Sequence, residues 1–271
     1  MERKLYKFSG ARNDFVVIDG REGDVSSFRE VARIEALCRE FRTDGLMILG
    51  SGDAEVDFVM EFYNPDGSGG MMCGNGGRCI VAFADYLGIR PSCHPELAEG
   101  SYLFRAPDGL HTGEILARPE DGLWEVRIKM IDVQGITPML GGYFLNTGTR
   151  HFVKFVDDVE QVDIDTEGKA LRWDPAFAPV GTNVNFVHVA SDGLHVRTFE
   201  KGVEGETLAC GTGLTASAIA ASAAAVIPGE AKESVRLRAR QDWLSVNFTP
   251  GADEKFTDVY LTGPARLVEI R

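Results

Sequence analysis

The chain has 271 residues, 44% of them hydrophobic and 25% charged, and a formal net charge of −13. These values fit a globular protein with a full core, and the length favours two domains of roughly 135 residues each. The acidic balance, with no run of four basic residues, argues against a nucleic-acid partner, which needs clustered Lys and Arg.

The opening stretch, "MERKLYKFSGARNDFVVID" at 1–19, has no apolar segment of signal-peptide length, so the expected compartment is the cytoplasm. Alternating runs then read as strands: "YKFSG" at 6–10, "DFVVID" at 14–19, "LMILG" at 46–50 and "VDFVMEFYN" at 56–64. A helical pattern, "SFREVARIEALCREF" at 27–41, lies among them. Next comes "MMCGNGGRC" at 71–79, a glycine-rich turn headed by Cys73, which feeds the helical "CIVAFADYLG". The strands "SYLFRA", "EILAR" and "LWEVRIKM" complete the first half. The second half continues with "YFLNTG", "HFVKFV", "NVNFVHV" and "LHVRTF", and then "LACGTG" at 208–213 heads the helical "LTASAIAASAAAV". The strands "LSVNF" and "VYLTG" follow. The low-polarity run "ASAIAASAAAVI" at 216–227 is too short to span a bilayer, so no membrane association is expected.

Many strands with few helices predict an α+β fold. The two cysteine turns are 137 residues apart, and "SGARNDFVVID" at 9–19 matches "TGTRHFVKFVDD" at 147–158, with Gly10 and Gly148 separated by 138. A repeat at half the chain length implies internal duplication. The expectation is two similar domains, 1–130 (with 262–271 returning to it) and 131–261. Each would be a curled, mostly antiparallel sheet around a central helix. Copies packed face to face would place the active site in the cleft between them.

A helix N-terminus presents free N–H groups and a positive dipole end, and neighbouring glycines let an anion approach the backbone. A cysteine there has its pKa lowered from ~8.5, which makes thiolate available near neutrality. Two such turns could hold one carboxylate between two thiols. Inverting the carbon beside that carboxylate needs a base on one face and an acid on the other, and a duplicated cysteine supplies both.

Other readings compete. Free cysteines are commonly inert core, and Cys38, Cys79 and Cys93 are read so. Five cysteines without a Cys-x-x-Cys pair argue against a zinc site and against stable disulfides. A phosphatase-type loop needs five residues between cysteine and arginine, and only four separate Cys73 from Arg78. A nucleotide loop of the Gly-x-x-x-x-Gly-Lys-Ser/Thr type is missing from the sequence. A redox dithiol on a non-catalytic binding module remains a rival from another class.

The stretches "GARNDFVVIDG", "YNPDGSGGMMCGNGGRC", "LNTGTRHFVKFVDDVE", "GTNVNFVHV" and "VRTFEKGVEGETLACGTGLTASA" resemble the diaminopimelate epimerases, nearly end to end. The resemblance implies a cofactor-independent isomerase that converts LL- to meso-diaminopimelate in lysine and peptidoglycan-precursor biosynthesis. It implies a small-molecule substrate and often a homodimer. Carried over by position, Cys73 and Cys210 are the acid/base thiols, with His151 and Glu200 as the polar pair beside them. Asn13, Asn64 and Asn183 contact the substrate, while Gly74 with Asn75, and Gly211 with Thr212, cradle the reacting carboxylate. The chain departs from the family where Lys201 follows Glu200 in place of arginine, since lysine lacks the bidentate carboxylate grip. It departs again at Thr149-Arg150-His151, often Asn-Pro-His, and Arg150 is expected to replace part of the missing substrate contact. Gly45 stands where the family sometimes has glutamine. Within the same fold, a proline-type racemase usually carries histidine where this chain has Asn75, and a phenazine-type isomerase lacks the paired cysteines.

Overall fold

A computed structural model describes residues 3–70, 72–92, 100–227 and 234–271; Cys93 falls outside them. The chain divides into two compact units, residues 1–128 with 263–271 and residues 129–262.

In the first unit, β1 (Tyr6–Gly10) and β2 (Asn13–Asp19) form an antiparallel hairpin. After α1 (Val31–Phe41), β3 (Gly45–Ser51) returns parallel to β2, and β4 (Phe58–Tyr63) runs antiparallel to β3. Helix α2 (Gly74–Tyr86) leads to β5 (Ser101–Ala106), parallel to β4. The antiparallel β6 (Gly109–Glu120) and β7 (Leu123–Lys129) follow. Residues 263–270 of the last strand pair with both β7 and β1 and close the sheet into a ring.

The second unit begins with β8 (Ile136–Met139), β9 (Gly142–Asn146) and β10 (Arg150–Phe155). A long excursion carrying α3 (Lys169–Arg172) leads to β11 (Asn183–Ala190), β12 (Gly193–Glu200) and the short β13 (Gly205–Thr207). Helix α4 (Gly211–Ala223) precedes β14 (Val235–Ala239), β15 (Asp242–Pro250) and β16 (Phe256–Ile270). From β9 the senses of pairing run antiparallel, parallel, antiparallel, parallel, antiparallel, antiparallel, as they do from β1. Here the closing segment is 130–139. Met130 N–H donates to Val259 O at 2.8 Å, Val133 bridges Phe256, and β8 pairs with β9. The units therefore share one plan, as duplication requires.

Helices α2 and α4 expose no face along most of their length, since Gly74–Ala84 and most of Gly211–Ala221 are buried. Such helices must be enclosed. Each packs against strands of its own ring, α2 on β1, β2, β3 and β6, and α4 on β9, β10, β11, β12, β14 and β15. The outer face of the first parallel pair in each unit, β2–β3 and β10–β11, is covered by the excursion that joins its two strands. In the first unit Ile34, Leu37 and Phe41 of α1 cover Val16, Ile18, Leu46 and Ile48. In the second, Val159, Ile164 and Phe177 cover Phe152, Val184 and Phe186. A parallel strand pair buried on both faces accounts for the continuous apolar runs "FVVI" and "LMIL".

The helix read from residue 79 starts at Gly74, because Cys73 caps it and the glycine turn is its first turn. No helix among the described residues is long and apolar enough to cross a membrane.

Candidate active site

Cys73 sits in extended conformation at the N-cap of α2, with φ −109° and ψ 151°. Its sulfur accepts a hydrogen bond from Gly76 N–H at 3.2 Å, so a free donor of the helix start faces the thiol. The β1–β2 hairpin presses on this turn: a Cβ on Gly10 would lie 2.7 Å from Asn75 O and 3.0 Å from Cys79 Sγ. Asn13 faces Gly10 across that hairpin, and its Oδ1 is buried with no hydrogen-bond partner among the described residues. A buried unpaired amide oxygen is costly and suits a group that waits for a ligand. Asn64 spans its own turn, with Nδ2 donating to Ser68 Oγ at 3.0 Å.

Beneath the turn lies Arg78, 0% exposed. Its guanidinium donates to Gly74 O at 3.1 Å, to Asn75 Oδ1 at 2.9 Å and to Pro264 O at 3.4 Å. Asn75, 2% exposed, is thereby fixed. Sequence reasoning weighed Arg78 only as a misplaced phosphatase arginine. The available signal was a lone charge immediately before the apolar helix run "CIVAFA". Burial pushes the thiols of Cys38 and Cys79 up, which suits their reading as inert core.

Cys210 caps α4 with φ −110° and ψ 106°, but no backbone N–H reaches its sulfur as a cap. Instead Cys210 Sγ lies 3.4 Å from Thr212 Oγ1. Thr212 Oγ1 in turn lies 3.0 Å from Nε2 of His151, which also approaches Thr149 Oγ1 at 2.9 Å. On the other side of the ring, His151 Nδ1 is 3.1 Å from Asn185 Nδ2. Burial pushes the His151 pKa down to about 3, so the imidazole is neutral. The β9–β10 turn is tied to the same helix start by Thr147 Oγ1, which donates to Thr212 O at 2.9 Å. That turn uses Gly148 at φ +109°, a conformation open to glycine.

Asn183 lies beside this cluster with its amide committed to protein. Nδ2 donates to Thr149 Oγ1 at 3.1 Å and to Arg150 O at 2.8 Å, while Oδ1 accepts from Lys201 N–H at 2.8 Å. The Lys201 side chain is exposed. Glu200 ends β12, where burial raises its pKa and the Thr207 hydroxyl opposes the shift. Arg150 does not join the cluster. Consecutive residues of a strand point to opposite faces, and Arg150 lies over the Phe144 ring at 5.1 Å with Nη1 donating to Phe177 O at 3.2 Å. The expected charge replacement finds no geometric support within this unit. Asn185 was missed, although it shares the inward face of β11 with Asn183 by the two-residue period.

A family model described as diaminopimelate epimerase matches residues 5–106 and again 143–268, with starts separated by the same 138 residues as Gly10 and Gly148. The chain belongs to the diaminopimelate epimerase family. It is by that membership an isomerase. It is 38% identical over 269 residues to the diaminopimelate epimerase of Flavobacterium psychrophilum, covering 98% of each chain. It is 37% identical over 270 residues to that of Chlorobaculum tepidum, covering 96% of this chain and 97% of the other. The fold is shared with a hydroxyproline epimerase from Agrobacterium vitis solved with bound trans-4-OH-L-proline. That likeness has a TM-score of 0.65 at 16% identity and covers 99% of this chain and 91% of the other.

Proposed function

We propose that this epimerase interconverts LL- and meso-diaminopimelate by two-thiol acid/base transfer at the α-carbon, with Cys73 and Cys210 on opposite faces. One sulfur enters as thiolate and removes the α-proton; the other, as thiol, returns one from the far side. The N–H groups of Gly74–Asn75 and Gly211–Thr212 hold the reacting carboxylate, where negative charge grows as the proton leaves. Asn13, Asn64, Asn183 and Lys201 contact the remainder of the substrate, and His151 and Glu200 flank the thiols. The supporting observation is the matched placement of the two cysteines as N-caps of the enclosed helix in two units of one plan. The reaction needs no cofactor, and the enzyme works in the cytoplasm as a homodimer.

The test is deuterium uptake at the α-carbon of diaminopimelate in heavy water, with Cys73→Ala and Cys210→Ala beside the parent. Labelling with interconversion of stereoisomers in the parent, lost in both variants, is the expected result. Ligand binding without α-hydrogen exchange would instead favour a binding module with redox-active cysteines.

A further inference from the structure

The polar side chains around Cys210 fix each other's orientation in sequence. The amide of Asn185, buried in β11, has two oxygen partners: Nδ2 donates to Phe152 O at 3.2 Å, and Oδ1 accepts from Thr198 Oγ1 at 3.0 Å. Rotating the amide would set its oxygen against the Phe152 carbonyl, two acceptors with no proton between them. Nδ2 is therefore the group that faces His151 Nδ1, and it arrives as a donor. His151 Nδ1 must accept, and the single ring proton of the neutral imidazole resides on Nε2. That proton points at Thr149 Oγ1 and Thr212 Oγ1. A Thr212 oxygen that accepts from His151 has its own hydrogen left for the neighbouring Cys210 sulfur. Gly213 completes the arrangement, because a Cβ there would collide with Asn185 Oδ1.

We propose that Asn185 locks His151 as its Nε2–H tautomer, and that His151 acts through the Thr212 hydroxyl as a hydrogen-bond donor that holds the Cys210 sulfur as thiolate. His151 is on this account a positioning residue; it does not receive the proton of Cys210. The chain of donors plays at Cys210 the part that the Gly76 N–H plays at Cys73. The inference rests on the reading of Cys210 as an acid/base thiol.

Two measurements test it. In protein labelled with 15N-histidine, long-range proton–nitrogen correlation of the His151 ring, assigned by its loss in His151→Gln, gives the tautomer directly. A bare Nδ1 and protonated Nε2 are expected; protonated Nδ1, or averaging of the two forms, overturns the lock. Separately, iodoacetamide labelling with peptide mass mapping gives the alkylation rate of each cysteine. Thr212→Val is expected to slow Cys210 roughly ten- to a hundredfold, the loss of one hydrogen bond to a charged group, and to leave Cys73 unchanged. Thr212→Ser is expected to restore the rate. Equal rates in parent and Thr212→Val overturn the relay. Neither readout uses turnover, so persistence of stereoisomer interconversion in both cysteine variants would remove the epimerase mechanism separately from these results.

Discussion

Gly10→Ala puts a methyl group where the β1–β2 hairpin meets the Cys73 turn. The added Cβ would lie 2.7 Å from Asn75 O, against an ordinary contact of at least 3.4 Å. The facing atom is backbone in the first turn of a buried helix, and Arg78 grips that turn by Gly74 O and Asn75 Oδ1. Neither a rotamer change nor a flexible side chain relieves the clash, so one of the two segments must retreat by about 0.7 Å. Overpacking of this kind costs about 1–3 kcal/mol, or roughly 4–12 °C in the melting temperature of a unit of this size. A displacement approaching 1 Å beside a reacting thiol costs up to ~10²-fold in rate. Calorimetry gives the first quantity and α-deuterium uptake by diaminopimelate the second. Gly135→Ala is the control, with nothing within 4 Å of its Cβ and no positive φ. Were Gly10→Ala to melt within about 1 °C of the parent and turn over at full rate, the hairpin could not be what holds the Cys73 turn in place.

Buried neutral His151 makes stability depend on acid: with its pKa at about 3 in the fold and ~6.5 unfolded, the unfolded chain binds the extra proton between those values. Stability is intact above pH ~6.5 and falls on acidification by up to about 1.4 kcal/mol per pH unit; urea titrations from pH 6.5 to 4.5 should show a shallower slope for His151→Gln, and parallel slopes would refute this. Arg150→Ala should cost about 1–2 kcal/mol from the lost Phe144 and Phe177 contacts, with KM little changed. A tenfold rise in KM without loss of stability would instead restore the expected substrate role.

Much of the plan was legible because duplication leaves fixed spacing. Gly10 must stay small where a hairpin meets a helix start, and Gly148 needs its positive φ, so both mark their copies. The start of α2 was harder to see. Glycines disfavour helix, and "GNGG" read as a turn; the Cys73 cap and complete enclosure override that preference. The 156–182 excursion shows no 3.6-residue period because it is built of short turns, each anchored by one or two apolar residues such as Val159, Ile164 and Phe177. Asn185 looked like a polar strand residue, and its meaning lies in partners at positions 151, 152 and 198 that only the pairing of β10, β11 and β12 brings together. Strand alternation, legible in the sequence, already sets Arg150 on the face opposite His151, where it meets Phe144 and Phe177.

The two units agree in strand order and differ in how each sulfur is held. Cys73 has a backbone donor and a buried guanidinium under its turn; Cys210 has a hydroxyl backed by a neutral imidazole. Proton bookkeeping gives this difference a consequence for the proposed reaction. Each turnover moves a proton onto the thiol that began as thiolate and takes one from the other, so the enzyme ends with its two protonation states exchanged. It must return to the starting state by exchange with solvent before repeating the same direction. Two identical turns would have equal preference for either state. Turns with different donors bias the free enzyme towards one, so the resting thiolate is set by the local hydrogen bonds of each helix start, while the equilibrium between the stereoisomers is untouched.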